Sequence, residues 1–189
     1  MVQKNLFLIK NGNPVRTIRH ENIKHKGPVK ITPLDALQMS LYFFALAVFE
    51  DRYILLTGGY CVGAQKKVYL FDVDQGSWVS SPSFPPLLHE RQHHSSCATA
   101  DTAFVFAGFE SSSEKPVLAL ETISLLRDSN GELTQRSWTQ TKLPKYLSRP
   151  GLLMAAIDND SVMILGGMLQ QFARSDGVIL DARTLKVKC

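Results

Sequence analysis

The chain has 189 residues, of which 44% are apolar and 20% are charged, and its formal net charge is +4. These proportions exclude a chain that is disordered throughout and are typical of a globular domain. The longest apolar run, residues 41–49, is shorter than the roughly 18–20 residues that span a bilayer. Three sparse cysteines without a CxxC motif predict neither a disulfide framework nor a zinc knuckle. We therefore expect a cytoplasmic protein without a membrane segment.

The first element in chain order is a predicted hairpin over residues 6–18, LFLIKNGNPVRTI, with its turn at Asn11–Gly12. Basic residues are concentrated here, because residues 1–30 contain seven lysines or arginines and one glutamate. Aromatic residues do not alternate with these charges, so a solvated linker is favoured over a nucleic-acid contact. No specific nucleic-acid partner is expected.

A pattern then occurs three times, in ALAVFEDRYILLTGGY (45–60), SCATADTAFVFAGFE (96–110) and MAAIDNDSVMILGGM (154–168). Each copy has an apolar run, an acidic turn, a second apolar run and a glycine. Runs rich in β-branched and aromatic residues between turn residues predict short strands. The downstream segments 68–79, 117–138 and 177–188 each predict another strand, turn and strand, with a longer loop around Asn130–Gly131 in the middle copy. Each repeat is therefore expected to have about four strands and almost no helix.

These residues resemble the kelch repeat, in which four strands form one blade of a β-propeller. The family's markers are a double glycine, a tyrosine and a tryptophan. The matching residues are Gly58, Gly59, Tyr69 and Trp78 in the first repeat, Gly108 and Trp138 in the second, and Gly166 and Gly167 in the third. Leu120, Ile179 and Val187 occupy the places of the missing aromatic residues.

The resemblance implies an all-β, partial kelch-type propeller of about three four-stranded blades with an N-terminal half blade. The corresponding organisation is an N-terminal hairpin and basic linker over 1–32, followed by repeats over 33–81, 82–140 and 141–189. Propellers of this family usually close with more blades. Three alternatives therefore stay open: a longer protein, closure by a second copy as a homodimer, or an open arc.

The sequence gives only weak support for two kinds of ligand site, a phosphate-binding loop and a metal site. The stretch TGGYCVGAQKK does not fit the GxxxxGK[ST] pattern of a phosphate loop. His89, His93, His94 and Cys97 suggest a metal, but adjacent residues of a strand point to opposite faces, which separates His93 from His94. We therefore expect no metal and no cofactor.

The resemblance leaves two functional classes. The first is a non-catalytic scaffold that binds protein partners through rim loops, here residues 60–66, 110–116 and 168–176 together with 89–92 and 146–149. The alternative is a carbohydrate-directed enzyme or lectin-like domain similar to galactose oxidase and incomplete in this chain. Tyr60, Cys61 and His94 are isolated candidates for such a copper site, but the full ligand set is not visible. The scaffold without catalysis is the preferred prediction.

The predicted partner-binding residues are Tyr60, Arg91, His93 and Arg149. Arg91 and Arg149 precede their glycines by the same number of residues, so both guanidinium groups are expected near one rim. There they would bind carboxylates of a partner or form structural salt bridges. The sequence does not distinguish these two roles.

Overall fold

The computed structural model describes residues 5–10, 13–19, 31–32, 36–37, 39–79, 84–111, 115–125, 127, 129, 137–170 and 172–188. In these residues the chain is all-β, as predicted, with strands in antiparallel sheets and a single short 3-10 helix at Lys145–Leu147. The same residues contain no helix that is long and apolar enough to cross a membrane.

The N-terminal strands form a three-stranded antiparallel sheet in the order β1-β2-β3. Its strands are β1 (Asn5–Lys10), β2 (Asn13–Arg19) and β3 (Ile31–Thr32). The paired strands of the predicted hairpin are therefore present. Its predicted turn at Asn11–Gly12 and the basic linker over residues 20–30 lie outside the described residues.

Two four-stranded sheets follow, each running as an antiparallel meander in chain order. Sheet I consists of β4 (Ala45–Phe49), β5 (Tyr53–Thr57), β6 (Val68–Asp72) and β7 (Ser77–Trp78). Sheet II consists of β8 (Ser95–Ala98), β9 (Thr102–Phe106), β10 (Ala119–Ser124) and β11 (Thr139–Lys142). The loop expected around Asn130–Gly131 lies outside the described residues.

Sheet III has three strands, β12 (Leu152–Asp158), β13 (Ser161–Gly166) and β16 (Gly177–Asp181). A separate small hairpin, β14 (Met168–Leu169) and β15 (Phe172–Ala173), lies between β13 and β16 in the chain. The fourth strand that the sequence predicts is reduced to one bridge between Leu180 and Val187. Sheet III therefore keeps the antiparallel strand order of sheets I and II but has three strands instead of four.

Sheets I, II and III pack face to face in chain order, and the first strand of sheet II contacts the first strands of sheets I and III. We call the side of a sheet that faces the next sheet its forward face and the opposite side its rear face. Buried residues between sheets I and II include Phe49, Leu55, Leu70, Val105, Ile123 and Trp138. Buried residues between sheets II and III include Phe104, Phe106, Leu120, Met154, Ile164 and Leu180. This stacking buries apolar surface that a single sheet would leave in water.

The strand registers confirm one set of equivalent positions and correct another. Trp78 lies opposite Phe71, and Val187 lies opposite Leu180 at the same level of sheet III. The position of Tyr69, however, corresponds to Glu121 and Val178 rather than to Leu120 and Ile179. The registers pair Tyr69 with Leu56, Glu121 with Val105 and Val178 with Ile164. These partners lie two residues before Gly58, Ala107 and Gly166, respectively. The assignments of Leu120 and Ile179 to this position were therefore each one residue off, in opposite directions along the chain.

The glycine pairs lie at the ends of the second strands and have positive φ. Gly108 has a φ of 88°, and a Cβ there would overlap the carbonyl oxygen of Gln92 and lie 2.9 Å from the Cβ of His94. Ala107 has a φ of 63° at the level where the other repeats have Gly58 and Gly166. Glycine is thus required at Gly108 both by backbone angle and by the close neighbouring chain.

Candidate functional site

The candidate site is the end of the sheets where the glycine pairs lie, which we call the glycine rim. It is formed by the segments that precede the first strand of each sheet and by those that follow the second strand. These segments meet at one end because, in an antiparallel meander, the first strand begins where the second strand ends. All four residues predicted to bind a partner, Tyr60, Arg91, His93 and Arg149, belong to these segments.

A chain of backbone hydrogen bonds connects the three sheets at this rim. The amide N–H of His93 donates to the carbonyl oxygen of Phe43, and that of Gly151 donates to the carbonyl oxygen of His93, both at 3.0 Å. The φ angles of Phe43, His93 and Gly151 are 57°, 54° and 69°. Such angles favour glycine and strain other residues. The hydrogen-bonded backbone adopts this conformation at all three positions. Phe43 and His93 adopt it despite the strain that it causes in residues with a side chain.

Those side chains belong to a continuous group of rings that we call the aromatic ridge: Tyr42, Phe43, Tyr60, His93 and Phe109. The Phe43 and His93 rings stack with centroids 3.7 Å apart, and the Tyr42 ring lies 5.0 Å from Phe43 and 5.1 Å from Tyr60. The Phe109 ring meets His93 edge-on at 6.4 Å. Tyr42 and Phe43 are 46% and 47% exposed. The ridge thus presents rings from sheets I and II to solvent.

An open cleft of about 440 Å³ adjoins the ridge between sheets II and III. Its lining includes His93, Phe109, Pro116, Pro150, Met168 and Leu169. Burial lowers the pKa of His93, so its ring faces the cleft as a neutral imidazole near pH 7. A cleft of this size with mostly apolar walls is suited to side chains of a ligand rather than to an ion.

Arg91 does not present its guanidinium to solvent, which corrects its prediction as a partner-binding residue. Arg91 and Glu121 are both 0% exposed and form an ion pair. Arg91 Nη1 also donates to the carbonyl oxygen of Ala107 at 3.2 Å. The Glu121 carboxylate accepts hydrogen bonds from the amides of Leu88 and His89 at 2.7 and 3.1 Å. The structural salt bridge is therefore the correct alternative, and it lies within sheet II and the segment leading into it.

Arg149 has a comparable role in sheet III and is likewise corrected as a partner-binding residue. It is 4% exposed and forms two hydrogen bonds to the Asp176 carboxylate, at 2.7 and 3.1 Å. Hydrogen bonds from Arg149, and then from Arg174, lower the pKa of Asp176 to about 2. In sheet I the equivalent position is Leu41, which is fully buried in an apolar cluster. The same site is thus filled by an ion pair in two repeats and by a leucine in the other.

The candidate copper and metal residues do not converge. Burial lowers the pKa of His94 to about 3, and its Nε2 lies 3.0 Å from Thr57 Oγ1 between sheets I and II. Burial raises the pKa of the Cys97 thiol to about 12, and Tyr60 is part of the aromatic ridge. In the part of the chain that the structure describes, no three His, Cys, Asp or Glu side chains are placed to hold a metal ion.

Sequence reasoning missed Tyr42, Phe43 and Phe109 as rim residues. Tyr42 and Phe43 look like part of the apolar strand LYFFALAVF, yet the strand begins only at Ala45. Glu121, the partner of Arg91, carried a usable signal: it is a lone carboxylate in the apolar run LALETISLL. A buried carboxylate needs a cation or several hydrogen-bond donors.

Comparison with known proteins does not assign the chain to a family. No protein-family model matches the sequence. A search of the curated proteins likewise finds no match. The resemblance to kelch repeats therefore stays a prediction from the sequence.

Proposed function

We propose that the chain is a partial kelch-type β-propeller that acts as a non-catalytic protein-binding scaffold in the cytoplasm. The main observation in support of this function is the aromatic ridge, which lies beside an apolar cleft on the glycine rim. Tyr60 and His93, two of the four residues predicted to bind a partner, are members of that ridge. Rims formed by loops on a rigid set of strands are common binding surfaces.

The propeller part of the proposal is supported by the way the sheets repeat. Three successive sheets stack face to face, with neighbouring first strands in contact and tryptophans at equivalent positions in sheets I and II. Residues 33–81, 82–140 and 141–189 would then be three blades, and the N-terminal strands a further half blade. The unpaired thiols of Cys61 and Cys97 support a reducing compartment.

The chemistry of the rim defines the kind of partner. Aromatic residues are enriched in the energetic centres of protein interfaces because they bury a large area with few rotatable bonds. The guanidinium groups of Arg91 and Arg149 are buried and already paired with carboxylates of this chain, so neither is available to an acidic partner. We therefore propose a protein partner that inserts one or more apolar side chains into the cleft beside His93.

The test removes the exposed rings without disturbing the backbone. Phe43 and His93 have positive φ, so the double variant Phe43→Gly/His93→Gly keeps a backbone that glycine adopts freely. Wild-type and variant protein are each used for quantitative affinity purification from cell extract, followed by mass spectrometry. We expect the proteins enriched by the wild type to be lost from the double variant.

Asp51→Gly is the matched control because Asp51 is exposed, has positive φ and lies in the turn between β4 and β5, at the end of sheet I opposite the glycine rim. It should retain the wild-type set of partners. Retention of that set by the double variant would overturn the rim as the binding surface. Turnover at enzymatic rates in a glycan oxidation or hydrolysis screen would overturn the non-catalytic assignment.

A further inference from the structure

The forward face of sheet III is an apolar surface that is open to solvent. Leu153 is 55% exposed, Ile157 54%, Leu165 37% and Ile179 42%. Strand register places Leu153 beside Leu165 on this face, and Met163 beside Ile179. Contiguous apolar residues of this kind are unusual on a monomer surface and commonly mark an interface.

The same face is buried in the two preceding sheets. In sheet II, Phe104 and Phe106 hold the positions of Met163 and Leu165, and both are 0% exposed because sheet III packs on them. Sheet I uses its forward face in the same way against sheet II. The exposed face of sheet III is therefore the counterpart of a face that is covered by a neighbouring sheet in sheets I and II.

The charges on this face lie at its margin. Asp181 is the last residue of the outer strand β16 and pairs with Lys188 at 3.8 Å. Lys188 Nζ also donates to the carbonyl oxygen of Asp160 at 2.8 Å. The centre, around Met163 and Leu165, can therefore be covered without burying either of these charges unpaired.

A head-to-tail array of copies is blocked at the other end of the stack. Such an array would place the forward face of sheet III on the rear face of sheet I in the next copy. The centre of that rear face is already covered, since Phe71 and Leu56 are 1% exposed and Leu37 and Leu41 pack in the cluster that contains Leu56. Val48, at the end of this face away from the rim, is 52% exposed. A second copy can therefore meet the open face most readily with its own open face.

We propose that the forward face of sheet III is the interface of a two-fold symmetric homodimer of this chain. Two apolar sheet faces pack about 10 Å apart with interdigitating side chains, and a two-fold axis brings the same patch from each copy together. This proposal does not depend on the glycine rim, because the interface lies on a sheet face rather than on the loops.

The experiment is sedimentation equilibrium of the whole chain over a range of concentrations. We expect a monomer–dimer equilibrium for the wild type and at least tenfold weaker dimerisation for Leu165→Lys, which brings two like charges to the centre of the interface. Circular dichroism checks that Leu165→Lys, a change at an exposed position, retains the β fold.

Val62→Lys introduces the same charge at a residue that is 98% exposed on a loop of sheet I, so it should dimerise like the wild type. A wild type that is monomeric at all concentrations would overturn the proposal. Open-ended growth beyond the dimer would overturn the two-fold geometry. Unchanged dimerisation of Leu165→Lys would assign the contact to another surface.

Discussion

Arg91 and Glu121 form an ion pair in which neither side chain is exposed to solvent. The pair joins the segment before β8 to the third strand of sheet II, 30 residues further along the chain. Its burial fixes the segment that carries His93 and therefore positions one side of the cleft. The guanidinium supports the rim from within and does not reach solvent.

Breaking this pair from one side should be strongly destabilising. Arg91→Met leaves the Glu121 carboxylate buried without its cation, and we expect a loss of about 3–5 kcal/mol in the free energy of unfolding. Adding Glu121→Gln removes the uncompensated charge but keeps an oxygen for the amides of Leu88 and His89, so part of the loss should be recovered. Urea unfolding of the two single variants and the double variant measures the coupling.

Arg149→Met is the matched comparison, because its partner Asp176 is 50% exposed and can be solvated when the arginine is lost. Its effect should be clearly smaller than that of Arg91→Met. Equal losses at the two positions would contradict the distinction between a fully buried pair and a half-exposed one.

The close approach at Gly108 separates two causes of glycine preference. Gly108 and Gly76 both have positive φ, but a Cβ at Gly76 would meet no heavy atom within 4 Å. Gly76→Ala should lose about 1–2 kcal/mol from the backbone angle alone. Gly108→Ala should lose roughly 1–3 kcal/mol more, because its methyl group would overlap the chain at Gln92. Thermal or urea unfolding decides the matter, and equal losses would remove the steric explanation.

His94 should make stability fall with acidification. Above about pH 6.5 the imidazole is neutral in both the folded and the unfolded state, so His94 does not make the free energy of unfolding depend on pH. Between that value and a folded pKa of about 3, only the unfolded chain binds the proton, so the free energy of unfolding decreases as pH falls. One proton changes the unfolding constant by about tenfold per pH unit in this range.

The variant His94→Gln tests this pH dependence, since its amide can form a hydrogen bond with Thr57 Oγ1 but does not titrate. Urea midpoints measured from about pH 6.5 to 4.5 should depend less on pH in the variant than in the wild type. The range avoids titration of the carboxylate of Asp176, whose pKa of about 2 is far lower. If the urea midpoints of the two proteins changed equally with pH, a buried neutral imidazole at His94 would be contradicted.

Because His93 has positive φ, its glycine variant should be at least as stable as its alanine variant, the reverse of the usual order. His93→Ala loses the ring and keeps the strain, whereas His93→Gly loses the ring and relieves about 1 kcal/mol of strain. We therefore expect His93→Gly to be at least as stable as His93→Ala by urea unfolding. Tyr42, its exposed neighbour in the ridge without positive φ, is the control, where alanine should be the more stable substitution. If the alanine variant were the more stable one at both His93 and Tyr42, backbone strain at His93 would be contradicted.

Local features of the chain were predictable from the sequence because neighbouring residues encode them. The alternation of apolar runs with turns predicted the strands of sheets I and II, and the glycine pairs marked the ends of β5, β9 and β13. Trp78 and Trp138 were recognised by their spacing from those glycines. The fourth strand of sheet III was overpredicted, because strand propensity does not determine whether a pairing ladder extends beyond Val187.

The sequence by itself determined an all-β chain of repeated antiparallel strands and the loops that form one rim. Tertiary structure alone decided which rim side chains are free to bind, because burial depends on where distant segments meet. Arg91 and Tyr60 are both polar loop residues in the sequence, yet Glu121 in β10 removes Arg91 from the surface. The opposite holds for Phe43, which belongs to an apolar run but is held at the rim by a backbone hydrogen bond from His93.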